Sequence, residues 1–71
     1  MATKADVSDL IAHHEMNVAW TNKGSGVYVS GYDRKNLLHG VRERDGDKAA
    51  NLERAVTRLA AEIDAANRGV K

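Results

Sequence analysis

The stretch Ala19–Asp33, AWTNKGSGVYVSGYD, decides how the rest of the chain is read. Its glycine-spaced middle, NKGSG, is either a phosphate-cradling loop or the turn of a hairpin. A phosphate loop needs a strand before it, a Lys-Ser/Thr pair at its end and a helix directly after, so that backbone N–H groups converge on the anion. Here Lys23 comes before the glycines, and Gly26 is followed by VYVS, a strand by alternation and β-branching. The turn accounts for the whole stretch. Pairing Thr21 with Gly26 around NKGS sets Trp20 opposite Val27 and Val18 opposite Val29, which puts all four large apolar side chains on one face. Ala19 and Tyr28 then take the other face, and Asn22, Lys23, Gly24 and Ser25 are residues that turns favour or tolerate.

On the N-terminal side, Thr3 and Asp6 form an approximate capping box, and Val7, Leu10, Ile11 and His14 recur at helical spacing. A helix over residues 4–15 is expected. On the C-terminal side, Ser30 and Asp33 give a second approximate capping box, with Leu37, Leu38 and Val41 as the inward stripe of a helix over 32–43. Gly40 weakens that helix by about 1 kcal/mol relative to Ala. The mixed-charge run RERDGDK follows, with Gly46 as a helix stop and Asp47 as the next N-cap.

From Asp47 to Asn67 the chain is rich in Ala, Leu, Glu and Arg, the strongest helix signal present. Ala49, Leu52, Val56, Leu59, Ile63 and Ala66 alternate spacings of three and four, and Ala55 and Ala60 widen the seam. A strict two-stranded coiled coil would place charges at those flanking positions, so the stripe points to packing against the domain or within a multi-helix interface. The expected fold is one small α+β domain over residues 1–71: a helix, a two-stranded antiparallel hairpin, then two helices, the last long and amphipathic. Trp20, Val18, Val27 and Val29 face the helices in that arrangement.

At 71 residues the chain sits where a single core is marginal without help. With no Cys, disulfides and thiolate chemistry are excluded, which gives weight to self-association or docking on a partner. A net charge of +1 supplies no overall attraction to nucleic acid or anionic lipid. Asp6 and Asp9 interrupt any signal-peptide core and no stretch approaches membrane-spanning length, so the expectation is a cytoplasmic protein without a membrane anchor.

Catalytic and metal motifs are missing. His13 and His14 are adjacent, point about 100° apart on a helix, and lack the HExxH spacing that lets two imidazoles share an ion. Ser8, Ser25 and Ser30 have no nucleophile elbow, and Asp45 and Asp47 around Gly46 lack the further oxygen ligands of a calcium loop. No catalytic residue, cofactor or metal is expected. Tyr28 and Tyr32 on the hairpin's outer side, and Leu52, Val56, Leu59 and Ile63 on the last helix, are the candidate interface residues.

The functional expectation is a non-enzymatic protein–protein interaction or assembly module that self-associates through its C-terminal helix. Its size and helix–hairpin–helix order resemble those of small phage head–tail joining proteins, which implies a structural role; the long Ala-rich last helix departs from that layout. A phage-encoded inhibitor of a host protein fits the same facts. The alternative is a small nucleic-acid-binding regulator, using Arg34, Lys35, Arg42, Arg44 and Lys48 if they converge into one basic patch. Strand, helix, glycine break and helix in that order are similar to ribbon-helix-helix repressors, but the strand already has a hairpin partner and its outward Tyr28 and Ser30 suit groove reading poorly.

Overall fold

The computed structural model describes residues 7–21 and 24–69. The proposed capping box at Thr3 and Asp6, and Asn22 and Lys23 of the turn, lie outside the described residues. The chain is a small α+β domain, and the described residues form five elements in order: α1 (Val7–His14), β1 (Asn17–Trp20), β2 (Val27–Tyr32), β3 (Leu38–Glu43) and α2 (Lys48–Arg68). The three strands form one antiparallel sheet in the order β1-β2-β3.

The hairpin has the register that its side-chain pattern demands, with Val18 opposite Val29 and Trp20 opposite Val27. The Thr21 amide donates to the Gly26 carbonyl at 3.0 Å, and Gly24 supplies the turn's positive φ of 83°. α1 ends in a Schellman motif: Met16 N–H reaches the Ile11 carbonyl and Glu15 N–H that of Ala12, with Glu15 left-handed at φ 53°. This reversal drops Met16 into the core.

The expected helix over 32–43 is not formed, and the two-stranded sheet becomes three-stranded. Asp33 and Asn36 build a tight turn instead. The Asn36 amide donates to the Asp33 carbonyl, the Asp33 amide to the Leu37 carbonyl, and Asn36 adopts φ 64°, the arrangement of a three-residue hairpin loop with a left-handed last residue. Asp33 Oδ1 also accepts from the amides of Lys35 and Leu37. Residues 38–43 then alternate across the sheet: Val41 and Glu43 are buried, while Leu38, Gly40 and Arg42 are exposed. Gly40 suits a strand here because Tyr28 lies over it, and a Cβ would run into the tyrosine hydroxyl.

Both helices lie on one face of the sheet. Val27, Val29 and Val41 from the strands meet Ala55, Val56, Leu59, Ala60 and Ile63 of α2, with Val7, Leu10 and Ile11 of α1 packed at the edge. Asp47 caps α2 by accepting from the Ala50 amide at 2.8 Å, as its position before the helical run implies. The buried stripe is rotated from the expected seam, because Asn51 and Ala55 face inward while Ala49 is exposed.

Trp20 departs from expectation in burial though not in register. It ends a four-residue edge strand at the start of α2 and remains 46% exposed, with Lys48 Nζ over its ring at 6.0 Å. Its native emission is therefore expected close to that of the unfolded chain. A strongly blue-shifted native spectrum would contradict this placement.

Candidate functional site

With helices on one face, the other face of the sheet is open. Its rows follow from the pairing: Ala19, Tyr28 and Arg42 lie side by side across the three strands, Asn17, Ser30 and Gly40 form the next row, and Tyr32 faces Leu38. The face has two chemically different ends.

At the β2–β3 turn, Tyr32 and Leu38 are 52% and 56% exposed and face each other as a cross-strand pair on the open face, while Leu37, also exposed, belongs to the turn. The turn beneath it is rigidly made. Asp33 Oδ2 lies 2.8 Å from His39 Nε2, while Oδ1 takes the two backbone amides already described. The His39 hydrogen bond first, and then that from Leu37, hold the Asp33 carboxyl below its ordinary pKa of 3.8. A depressed folded value means that this contribution to stability is complete above the ordinary carboxylate range and is lost as pH falls through the folded value. The Asp33→Asn protein should thus melt below the parent at neutral pH, with the gap closing as pH drops under 3.8. Melting curves at pH 7 and pH 3 with an unchanged gap would contradict the assignment.

At the opposite, hairpin end, a cleft of about 200 Å³ opens between Ala19, Tyr28 and Arg42 on one side and Thr21, Gly26 and Arg44 on the other, with Trp20 at its rim. Small residues keep its floor low. The Arg42 guanidinium carbon is 5.8 Å from the centre of the Tyr28 ring, near the outer limit of a cation–π contact. Lys48 approaches Trp20 from the helix side. No ion pair joins Arg42, Arg44 or Lys48 to a carboxylate among the described residues. The neighbouring acids are otherwise engaged: Glu43 points to the helix side, 2.6 Å from Arg58 Nη1 and 3.5 Å from Arg54 Nε, and Asp47 caps α2. Asp45 is exposed beside Arg44.

The five basic residues proposed for nucleic acid therefore separate. Arg42 and Arg44 stand by Tyr28 on the open face, Lys48 lies over Trp20 on the helix side, and Arg34 and Lys35 sit in the β2–β3 turn at the other end. Of the interface candidates, Tyr28 and Tyr32 share the open face; Val56, Leu59 and Ile63 are spent on the chain's own core, and Leu52 is half-buried against it.

A buried polar hub holds the cleft end together. Asn51, fully buried on α2, accepts from the Gly46 amide at 2.9 Å and donates to the carbonyls of Ser25 and Gly46, both at 2.8 Å. Ser25 Oγ closes the triangle on the Gly46 carbonyl at 2.7 Å. One side chain thus ties the β1–β2 turn to the β3–α2 loop. An Asn one turn before Ala55, on the face that Leu59 and Ile63 continue, was the signal for it in the sequence.

A larger polar cleft of about 450 Å³ lies beside α1, lined in part by His13, His14, Tyr32, Asp33 and Asp64. No group of His, Cys, Asp or Glu with metal-binding geometry occurs among the described residues. No helix among them is long and apolar enough to cross a membrane. No family model matches the chain, and no curated protein and no solved structure is significantly similar to it.

Proposed function

We propose that the protein is a non-enzymatic binding module that docks a protein partner on the open face of its sheet, in an assembly or inhibitory role. The observation that supports this is the cross-strand pair Tyr32–Leu38 on the open face, both residues more than half exposed in a 71-residue chain. Exposed apolar side chains scattered singly are ordinary; grouped on a rigid strand pair they mark an interaction surface. Aromatic anchors on strands also lose little conformational freedom on binding, so they favour affinity. The helix–hairpin–helix layout expected from the sequence gives no support, because residues 38–43 belong to the sheet. Self-association through the α2 seam is likewise not part of the proposal, since that seam is core.

The test is site-specific photocrosslinking in the native cell, with a benzophenone side chain at position 32 or 38 and, as a control, at the exposed Thr57 of α2. The proposal expects one discrete protein adduct from positions 32 and 38 and none from 57. Equal labelling from all three sites, or none from the sheet, would overturn it.

A further inference from the structure

β3 is an outer strand of the sheet, and we propose that a second copy of the chain adds to its free edge, antiparallel about Gly40, joining two sheets into one of six strands. The turn before β3 determines which backbone groups this edge offers. The Asp33 amide donates to the Leu37 carbonyl, so 33 and 37 are a hydrogen-bonded pair, and by alternation 31–39, 29–41 and 27–43 are the others. His39, Val41 and Glu43 therefore bond to β2, and the amides and carbonyls of Leu38, Gly40 and Arg42 point outward. Nothing among the described residues bonds to these outward groups. Edges are commonly blunted by Pro, a bulge or an inward charge. β3 has no Pro, pairs with β2 without a bulge from Leu38 to Glu43, and has its inward charge, Glu43, neutralised by Arg54 and Arg58. The opposite edge is a poorer template, since the four-residue β1 offers only Val18 and Trp20 outward.

The occupant is a second copy, rather than an unrelated strand, because the flank of α2 beside this edge is complementary to itself. α2 lies over β2 and β3, where Arg58 Nη1 is 2.6 Å from Glu43 and Glu62 is 3.9 Å from His39. It thus runs antiparallel to β3, with the cation near one end of the strand and the carboxylate near the other. Setting Gly40 against Gly40 of the second copy makes Leu38 and Arg42 reciprocal partners, which uses all three outward residues. The same two-fold axis brings Arg58 of each α2 to Glu62 of the other. The spacing agrees. With strands about 4.8 Å apart, two helices that each lie over their own β2–β3 pair stand about 10 Å apart, the separation of packed helices. Glu62 is half exposed and Arg58 more so, which leaves both side chains free to reach across.

Sedimentation equilibrium of the full chain should give an average mass that rises with concentration from 7.7 kDa toward twice that value. Arg42→Pro removes an outward amide while leaving the ladder to β2 intact, so it should be folded by circular dichroism and monomeric. Arg42→Ala keeps the amide and should dimerise as the parent does. Glu62→Arg, which sets like charges against each other twice, should weaken dimerisation by about tenfold. In the parent itself, amide exchange at Leu38, Gly40 and Arg42 should slow as concentration rises while Val18 and Trp20 stay fast, a result that needs no variant to fold. A mass of 7.7 kDa at every concentration overturns the inference. So does dimerisation that Arg42→Pro leaves intact, that Arg42→Ala abolishes or that Glu62→Arg fails to weaken, and so does exchange at 38, 40 and 42 that is independent of concentration. The open face stays free in the six-stranded sheet, and a crosslink from position 38 to a second copy is told from a partner adduct by its mass, so the two proposals fail separately.

Discussion

Leu59→Asp is expected to abolish the fold. Leu59 is completely buried at the centre of α2's contact with Val27, Val29 and Val41. Removing such a side chain costs about 2–5 kcal/mol as a cavity alone. The carboxylate adds the penalty of an unpaired charge in an apolar site, and together these approach the roughly 5–15 kcal/mol that holds a whole domain. Circular dichroism should show loss of cooperative melting. Leu59→Met, which conserves volume and polarity, should stay folded at a cost under about 1.5 kcal/mol. A cooperatively folded Leu59→Asp protein would mean that α2 does not close the core.

The second large effect is expected at Asn51, which no apolar contact would bring to notice. Asn51→Ala leaves the partly buried Gly46 amide and Ser25 carbonyl without their partner. An abandoned buried donor or acceptor costs about 1–3 kcal/mol, so the pair amounts to about 3 kcal/mol. At about 4–8 °C per kcal/mol for a domain of this size, the melting temperature should fall by about 12–24 °C. The loss should be accompanied by faster amide exchange at Gly46 and in the β1–β2 turn. A shift of only about 2 °C would show that water replaces the side chain without penalty.

What the sequence made legible follows the strength of each local signal. The β1–β2 register could be read because only one pairing unites Val18, Trp20, Val27 and Val29, and a slip by one residue would turn all four to solvent. α2 could be read because Asp47 caps a long run of helix formers. The segment 38–43 misled because Leu37, Leu38 and Val41 have helical spacing by coincidence; only Val41 is buried. The deciding information was the turn before it, where Asp33 accepts two amides and Asn36 takes a left-handed conformation, and that chemistry starts a hairpin rather than a helix. Gly40 also gave a hint, costly in a helix and needed in a strand under Tyr28.

The candidate sites were legible residue by residue but not as groups. Tyr28 and Tyr32 stand on the outer side as alternation requires. The placement of Arg42 and Arg44 beside Tyr28 on the open face depends on β3 being a strand: in a helix over 32–43, Arg42 would not stand beside Tyr28. The same change turns Glu43 inward to Arg54 and Arg58, so the alternating charges in RERDGDK, which read as self-neutralising along the chain, separate onto two faces of the sheet.

Everything proposed for function requires one face of this sheet to be core and the other to be free. A soluble paramagnetic agent added to the isotopically labelled protein measures this residue by residue. The account predicts strong broadening at Tyr28, Tyr32 and Leu38 and none at Val27, Val29 and Val41. Equal protection of both sets would contradict it, because the open face would then be covered, by a second copy or by a different packing of the chain.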